Sequence, residues 1–245
     1  TQDNHGAVPT SDDEWHRMTE DDQGATGTDE GASDRSEVSG RLRVLATSDV
    51  HSHLLSYNYY TDQEHPGIGL SRTASLIDAA RKEAAESGAI TLLVDNGDWL
   101  QGSPLAETDA ADPDATPASI RAFDVLGYDA VGLGNHEFNF GLPVLARALS
   151  ALPCPAVCSN ITPLADAHAL PIHKTLMLRR RVPCASADAP DVKIGLLSVL
   201  PPQTMLWDAD HLEGRLRVDD ILSSARAAIA DLRNAGADVV IALAH

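Results

Sequence analysis

A glycine-rich octet, Gly132–Asn139, constrains the fold of this chain more than any other stretch. It follows the apolar residues Ala130 and Val131, which indicate a buried strand that stops at a sharp turn. Glycine permits such a turn because it has no Cβ atom. The turn places Asn135, whose amide oxygen can bind a metal, beside His136, which can transfer a proton. The alternative is a loop in which Asn135 caps a turn and His136 lies on the surface.

Three further apolar runs end in polar residues in the same way. The first begins at Leu42 and leads to Asp49 and His51, the second is Ile90–Val94 and leads to Asp98, and the last is Val239–Leu243 and leads to His245. Each of these residues alone is compatible with a turn cap or a surface position. Their repeated placement after strands favours a shared site.

Segments with helical spacing separate these runs. Helices are predicted from Leu70 to a stop at Gly88, at 118–126, at 142–152 and from Ile221 towards Gly236, with a loop at 107–117 and short strands at 156–158, 171–182 and 192–199. The alternation predicts an α/β domain with a largely parallel inner sheet. Ligands of such domains gather at the carboxyl ends of the strands, where all the polar clusters lie.

The residue types in these clusters indicate metal chemistry. Carboxylate, imidazole and carboxamide groups form a nitrogen and oxygen donor set, which suits Zn, Mn, Fe or Co better than Ca or Mg. Asp98 has two carboxylate oxygens and can bridge two ions. Two ions about 3.5–4 Å apart can hold a phosphoryl group and a hydroxide. We therefore expect two divalent ions.

Composition excludes several other classes of function. Half of the net charge of −18 lies in residues 1–40, which we predict to be a disordered acidic tail before a domain at 41–245. This acidity argues against a nucleic-acid polymer as partner. No apolar run approaches the roughly 20 residues of a membrane helix, so no membrane partner is expected. The three cysteines form no CxxC pair and are interpreted as ordinary residues.

The motifs resemble those of the calcineurin-like metallophosphoesterases. The resemblance rests on Asp49-x-His51, Gly97-Asp98-x-x-Gln101-Gly102, Gly134-Asn135-His136-Glu137 and the last strand with His245. Within that superfamily it points to the 5'-nucleotidase group, and there to the bacterial branch of 2',3'-cyclic-nucleotide 2'-phosphodiesterases/3'-nucleotidases. The stretches 70–77, 94–105 and 201–208 support this branch. The resemblance covers about residues 41 to 245.

The resemblance implies a fold and a set of roles. The fold is an α/β/β/α sandwich with a largely parallel inner sheet, and the activity is metal-dependent hydrolysis of small nucleotides in the periplasm. Asp49, His51 and Asp98 would hold one ion, and Asp98, Asn135 and His245 the other. A hydroxide held by the ions would attack phosphorus in line. His136 would protonate the leaving oxygen or stabilise the charge that develops on the phosphoryl group.

Two departures from the family pattern keep alternatives open. Asn139 stands where many 5'-nucleotidases have an aspartate that orients the histidine; asparagine there fits the cyclic phosphodiesterase branch, with a 5'-nucleotidase as the alternative. The resemblance also implies that the family continues beyond the position of His245 with a Gly-His-x-His segment and a nucleoside-binding domain. We therefore expect an amino-terminal fragment, truncated at its C-terminus, which binds metal weakly, and a catalytically incompetent metal-binding fragment remains an alternative.

Other readings of single motifs carry less weight. His51-x-His53 suggests an amidohydrolase barrel, but the further histidines, lysine and aspartate of that fold are not found in order. A zincin protease is excluded because Phe140 stands where the second histidine of His136-Glu137-x-x-His belongs. His53 is left open between a surface position and a place near the substrate. The run 179–181 of three arginines is interpreted as a solvated strand end, with phosphate binding as the alternative.

Overall fold

A five-stranded parallel sheet carries most of the predicted site. The computed structural model describes residues 40–164, 170–183 and 191–245. Its strands are β1 (Arg41–Thr47), β4 (Ala89–Asp95), β5 (Ala130–Val131), β6 (Ala156–Val157) and β8 (Ile172–His173). They lie in the order β1-β4-β5-β6-β8, and all the pairs are parallel.

A second sheet faces the first. It has the order β12-β10-β9, built from β9 (Leu176–Arg181), β10 (Asp191–Val199) and β12 (Val239–Ala244). The helix α7 (Ile221–Asn234) connects β10 to its parallel neighbour β12, whereas β9 is antiparallel to β10. The pairing is largely parallel, as predicted for the inner sheet, with β9 as the antiparallel exception. His245 follows a strand of a different sheet from Asp49 and Asp98.

The alternation of side chains along the central strands explains why two sheets can stack. In β4, Leu92 and Val94 point towards the second sheet, where they pack in one cluster with Leu196 of β10. Leu93 points to the opposite face of the sheet, where it lies in one cluster with Ile77 of the helix that covers that face. Successive residues of a strand point to opposite faces, so a continuous apolar run is what a strand covered on both faces requires.

Helices cover the outer faces of both sheets. The first sheet packs against α1 (Leu70–Glu86), α3 (Ala118–Leu126) and α4 (Leu142–Ala151), and the second sheet packs against α7. The expected α/β/β/α arrangement is thus confirmed. The remaining elements are β2 (Tyr57–Asn58), β3 (Gln63–Glu64), α2 (Pro104–Ala111), a 3₁₀ turn (His136–Phe138), β7 (Ile161–Pro163), α5 (Thr204–Trp207), α6 (Ala209–Leu212) and β11 (Leu216–Val218).

The predicted loop at 107–117 is partly wrong, because α2 occupies its first part. Pro104 takes the first helical position after Ser103, a placement that favours a helix start. Asp109 on this helix is buried and accepts a hydrogen bond from the backbone N–H of Ala118, at 2.7 Å. This helix was not predicted because its acidic and alanine-rich sequence resembles a loop. The helices predicted from apolar spacing are confirmed.

Some predictions concern residues outside the described ranges. Of the predicted acidic tail, residues 1–39 lie outside them, as does Cys184. Among the described helices, none is long and apolar enough to cross a membrane.

The packing of α1 gives a direct test of the fold. Ile77 is 5% exposed and its neighbour Leu76 is 70% exposed on the same helix. We expect Ile77→Ala to lower the free energy of unfolding by about 2–5 kcal/mol, because it leaves a cavity against the first sheet. Leu76→Ala should change it by no more than about 0.5 kcal/mol. Urea denaturation of both variants measures this, and similar effects of the two would contradict the packing described.

Candidate metal centre and active site

The loops that follow β1 and β4 run side by side at the carboxyl edge of the first sheet. The N–H of Asp49 donates to Gly97 O at 3.0 Å, and the N–H of His51 donates to Asp98 O at 2.9 Å. Asp49, His51 and Asp98 all have left-handed backbones, with φ of 55°, 49° and 59°. Such conformations are unfavourable for residues other than glycine and persist where surrounding contacts impose them. These three residues are therefore held in place by their loops.

A buried carboxylate organises the Asp98 loop. Glu137 is fully buried, and its two oxygens accept four backbone N–H groups, those of Asp98 (2.8 Å), Trp99 (2.8 Å), Leu100 (3.0 Å) and Gly134 (2.6 Å). Burial raises the pKa of Glu137, and the nearby Asp98 adds to this, while the N–H donors act in the opposite direction. Sequence reasoning assigned no role to Glu137. Its position beside His136 was the only signal, and its burial could not be read from the sequence.

Three of the predicted ligands form one cluster. One donor atom from each of Asp49, His51 and Asp98 lies within 4.8 Å of the others. Nδ1 of His51 is 2.6 Å from Gln101 O, so this nitrogen carries the proton and donates to the carbonyl. The lone pair of Nε2 is then free for an ion, which is the usual arrangement of a metal-binding histidine. The donor set and its tautomer therefore fit a divalent metal.

His245 reaches the same carboxylate from the second sheet. Its Nε2 is 3.0 Å from Asp98 Oδ2, and its backbone N–H donates to Val199 O at 3.1 Å. In the described part of the chain, His245 Nδ1 is buried without a hydrogen-bond partner. A Cβ atom at Gly134 would collide with Asp98 Oδ1 and lie 2.7 Å from His245 Nε2. Only glycine leaves room for this contact, which explains one glycine of the octet.

The pKa values of this pair reflect their contact. Burial raises the pKa of Asp98. The hydrogen bonds from His245 and from the backbone N–H of His136 lower this pKa by more than burial raises it, so the net shift is downward. The hydrogen bond to Asp98 raises the pKa of His245 despite its burial. Both shifts favour an ion pair. A divalent ion on Asp98 would replace the imidazolium proton as the partner of the carboxylate.

His136 lies at the exposed side of this cluster. Its Nε2 is 4.0 Å from Asp98 Oδ2, its ring is 5.1 Å from that of His51, and its side chain is 39% exposed. Its Nδ1 is 2.6 Å from Asn139 Oδ1. Asn135 lies directly before His136 and opens the 3₁₀ turn, with its carbonyl accepting from the N–H of Phe138 at 3.3 Å. The turn thus positions His136 next to Asp98, whose Oδ1 accepts from the backbone N–H of His136 at 2.8 Å.

Two residues left open by the sequence have defined surroundings. His53 lines, together with Asp49, a cavity of about 460 Å³ between the end of β1 and the start of α1. Arg180 forms an ion pair with Asp129, which precedes β5 and so lies at the opposite edge of the first sheet from the cluster. His53 is therefore beside the candidate site, whereas Arg180 is paired with Asp129 away from it.

Glu137→Gln tests the role of the buried carboxylate. The substitution keeps the shape of the side chain but replaces one acceptor oxygen by an NH₂ group, so backbone donors lose their partner. We expect the free energy of unfolding to fall by about 3 kcal/mol, measured by urea denaturation. Glu86→Gln on the exposed surface of α1 is the control and should have little effect. Equal stability of the two variants would contradict this role of Glu137.

Asp95 provides a pH-dependent test. It is fully buried at the end of β4, and burial raises its pKa to about 7 although Thr47 and the N–H of Gly97 donate to it. The folded pKa lies above the ordinary value near 4, so the associated stability is present below about pH 4 and is lost as the pH rises towards 7. With a metal chelator present to keep the protein metal-free, the free energy of unfolding should decline between pH 5 and 7.5, by at most about 1.4 kcal/mol per pH unit. Asp95→Asn should flatten this decline, and an unchanged slope would contradict the assignment.

Comparison with known proteins places this geometry in a family. No protein-family model matches the chain. The 2',3'-cyclic-nucleotide 2'-phosphodiesterase/3'-nucleotidase of Salmonella typhimurium is 40% identical over 208 residues, which cover 83% of this chain and 31% of the relative. The trifunctional nucleotide phosphoesterase protein YfkN of Bacillus subtilis is 40% identical over 215 residues, covering 83% of this chain and 14% of the relative. The chain thus spans less than a third of the length of these relatives.

Solved structures agree with the sequence comparison. The crystal structure of calcineurin-like phosphoesterase YfkN from Bacillus subtilis superposes with a TM-score of 0.72 at 38% identity, covering 82% of this chain and 61% of that one. A 5'-nucleotidase precursor from Thermus thermophilus shares the fold, with a TM-score of 0.62 at 21% identity over 82% of this chain and 36% of that one. The family predicted from the motifs is confirmed: the chain belongs to the calcineurin-like phosphoesterases.

Proposed function

We propose that this chain is the metal-binding part of a nucleotide phosphoesterase that hydrolyses 2',3'-cyclic nucleotides and 3'-nucleotides. The observation that carries the proposal is the convergence of Asp49, His51 and His245 on Asp98 from two sheets. The names of the Salmonella and Bacillus relatives support the substrate class. A small nucleotide suits a strongly acidic chain, because bound cations would supply the positive charge that its phosphate needs.

Two divalent ions of the Zn, Mn, Co or Fe type are the cofactors we propose. Asp49, His51 and Asp98 would hold the first, and Asp98, Asn135 and His245 would hold the second. The free Nε2 of His51 and the 3.0 Å contact of His245 Nε2 with Asp98 support this set. Bound at this site, such ions supply charge stabilisation for the phosphoryl oxygens and activate water.

His136 is the residue we propose for proton transfer. Its Nδ1 donates to Asn139, so Nε2 is the nitrogen that faces the cluster; the ring would take up a proton from solvent at Nε2 and give it to the leaving oxygen. A side-chain exposure of 39% leaves this nitrogen accessible to a substrate. Proton transfer of this kind contributes roughly 10²–10⁴-fold to rate. The periplasmic location expected from the family resemblance is part of the same proposal.

Metal analysis combined with three substrates tests the proposal. We expect metal to copurify with the chain or to bind on addition of Zn²⁺ or Mn²⁺, and Asp98→Ala to abolish this binding. Hydrolysis of 2',3'-cyclic AMP and 3'-AMP should exceed that of 5'-AMP, in this chain or in one extended beyond His245. His136→Ala should keep the metal and lower the rate by about 10²–10⁴-fold.

Each alternative has its own outcome in this experiment. Preference for 5'-AMP would replace the proposal by a 5'-nucleotidase. Metal binding without hydrolysis in either chain would leave a metal-binding module. Absence of metal binding by the wild type would contradict the ligand set itself.

A further inference from the structure

Asp208 is an acidic residue buried beside exposed apolar neighbours. Its exposure is 7%, whereas that of Leu206 is 78% and that of Trp207 is 59%. An acidic side chain is costly to bury unless it is hydrogen-bonded, so its burial requires a compensating contact. That contact is made with Asn139, whose Nδ2 donates to Asp208 Oδ1 at 2.9 Å across 69 positions of sequence. Asp208 has no role among the residues assigned so far.

Backbone hydrogen bonds hold the main chain of Asp208 in place. The residue lies at the junction of α5 and α6, where its N–H donates to Thr204 O at 3.0 Å. Its own carbonyl accepts from the N–H groups of His211 (2.9 Å) and Leu212 (3.0 Å). Since Asp208 is anchored on both sides, Asn139 meets an acceptor at a fixed position.

This acceptor determines how the amide of Asn139 is oriented. A carboxylate oxygen only accepts, so the NH₂ group of Asn139 must face Asp208 and its oxygen must face His136. That oxygen lies 2.6 Å from His136 Nδ1, so it requires the proton of the neutral ring to reside on Nδ1. Nε2 is then left without a proton and directed to the cluster around Asp98.

We propose that Asp208 is a positioning residue that acts through Asn139 to fix the orientation and tautomer of His136. In catalysis this role rests on the proposed function, because it matters for rate only if His136 transfers a proton. The role in fixing the tautomer is independent of activity. Asp208 and Asn139 together provide a carboxylate from a distant segment in place of an acidic residue at position 139.

Nitrogen-15 NMR of the histidine side chains tests the tautomer directly. In metal-free wild-type protein at a pH where His136 is neutral, we expect its proton on Nδ1. In Asp208→Ala the amide of Asn139 is free to turn, and the population with the proton on Nε2 should rise. Asp210→Asn, an exposed residue two positions away, is the control and should leave the spectrum unchanged. Urea denaturation verifies that each variant is folded.

Exchanging the two side chains separates positioning from a general loss of packing. Asn139→Asp alone sets two carboxyl groups against each other, and Asp208→Ala removes the acceptor. In the double variant Asn139→Asp/Asp208→Asn, the amide at 208 donates to the carboxylate at 139, which accepts from His136 Nδ1. The double variant should therefore keep the proton on Nδ1 and turn over faster than either single variant, each of which should lower kcat by about 10- to 100-fold with a smaller change in KM.

The results decide the two proposals separately. A Nδ1 proton that persists in Asp208→Ala, or a double variant no better than the singles, would overturn the positioning role. Absence of hydrolysis in every form would count against the proposed function alone, because the NMR measurement still decides the role of Asp208.

Discussion

The buried carboxylate of Glu137 is the interaction on which the rest of the site depends. It gathers backbone N–H groups from the loop after β4 and from the turn after β5, and so ties two strand ends of one sheet together. Without it, the left-handed backbone of Asp98 would have no compensating contact on that side. Asp98 lies close to Asp49 and His51, which follow the first sheet, and to His245, which follows the second. The position of Asp98 therefore decides whether these residues can form one site.

The two-sheet architecture then explains why Asp98 is central. Its Oδ1 accepts from the N–H of His136, which lies in the turn after β5 of the first sheet, and its Oδ2 meets His245, which follows β12 of the second sheet. The side chain of Asn96 also donates across this boundary, to Ala244 O at 3.1 Å. A carboxylate at the meeting edge of two stacked sheets can serve ions on either side of it. Under the proposed function, Asp98 would be the ligand that the two ions share.

Much of the fold could be predicted from the sequence, because apolar periodicity reports burial. The run Ile90–Val94 is apolar throughout because both its faces are covered, and the helices with an apolar stripe lie where the spacing placed them. The helix at Pro104–Ala111 was missed because its composition resembles a loop. Which strands pair within each of the two sheets could not be read from the element order, because local sequence pattern does not encode strand pairing.

The site shows the same limit. Residues with reactive side chains after strands, such as Asp49 and Asp98, could be found from residue type and position. Glu137, Asp95 and Asp208 could not, because their importance lies in burial and in hydrogen bonds to segments far along the chain. Acidic residues are usually exposed, so sequence alone gives no reason to bury these three.

Anomalous X-ray diffraction from crystals grown with Mn²⁺, recorded above and below the manganese edge, tests the central claim most directly. The account predicts strong anomalous peaks within bonding distance of the Asp98 oxygens, one towards Asp49 and His51 and one towards His245. Peaks elsewhere, or none beside Asp98 in protein saturated with metal, would contradict it.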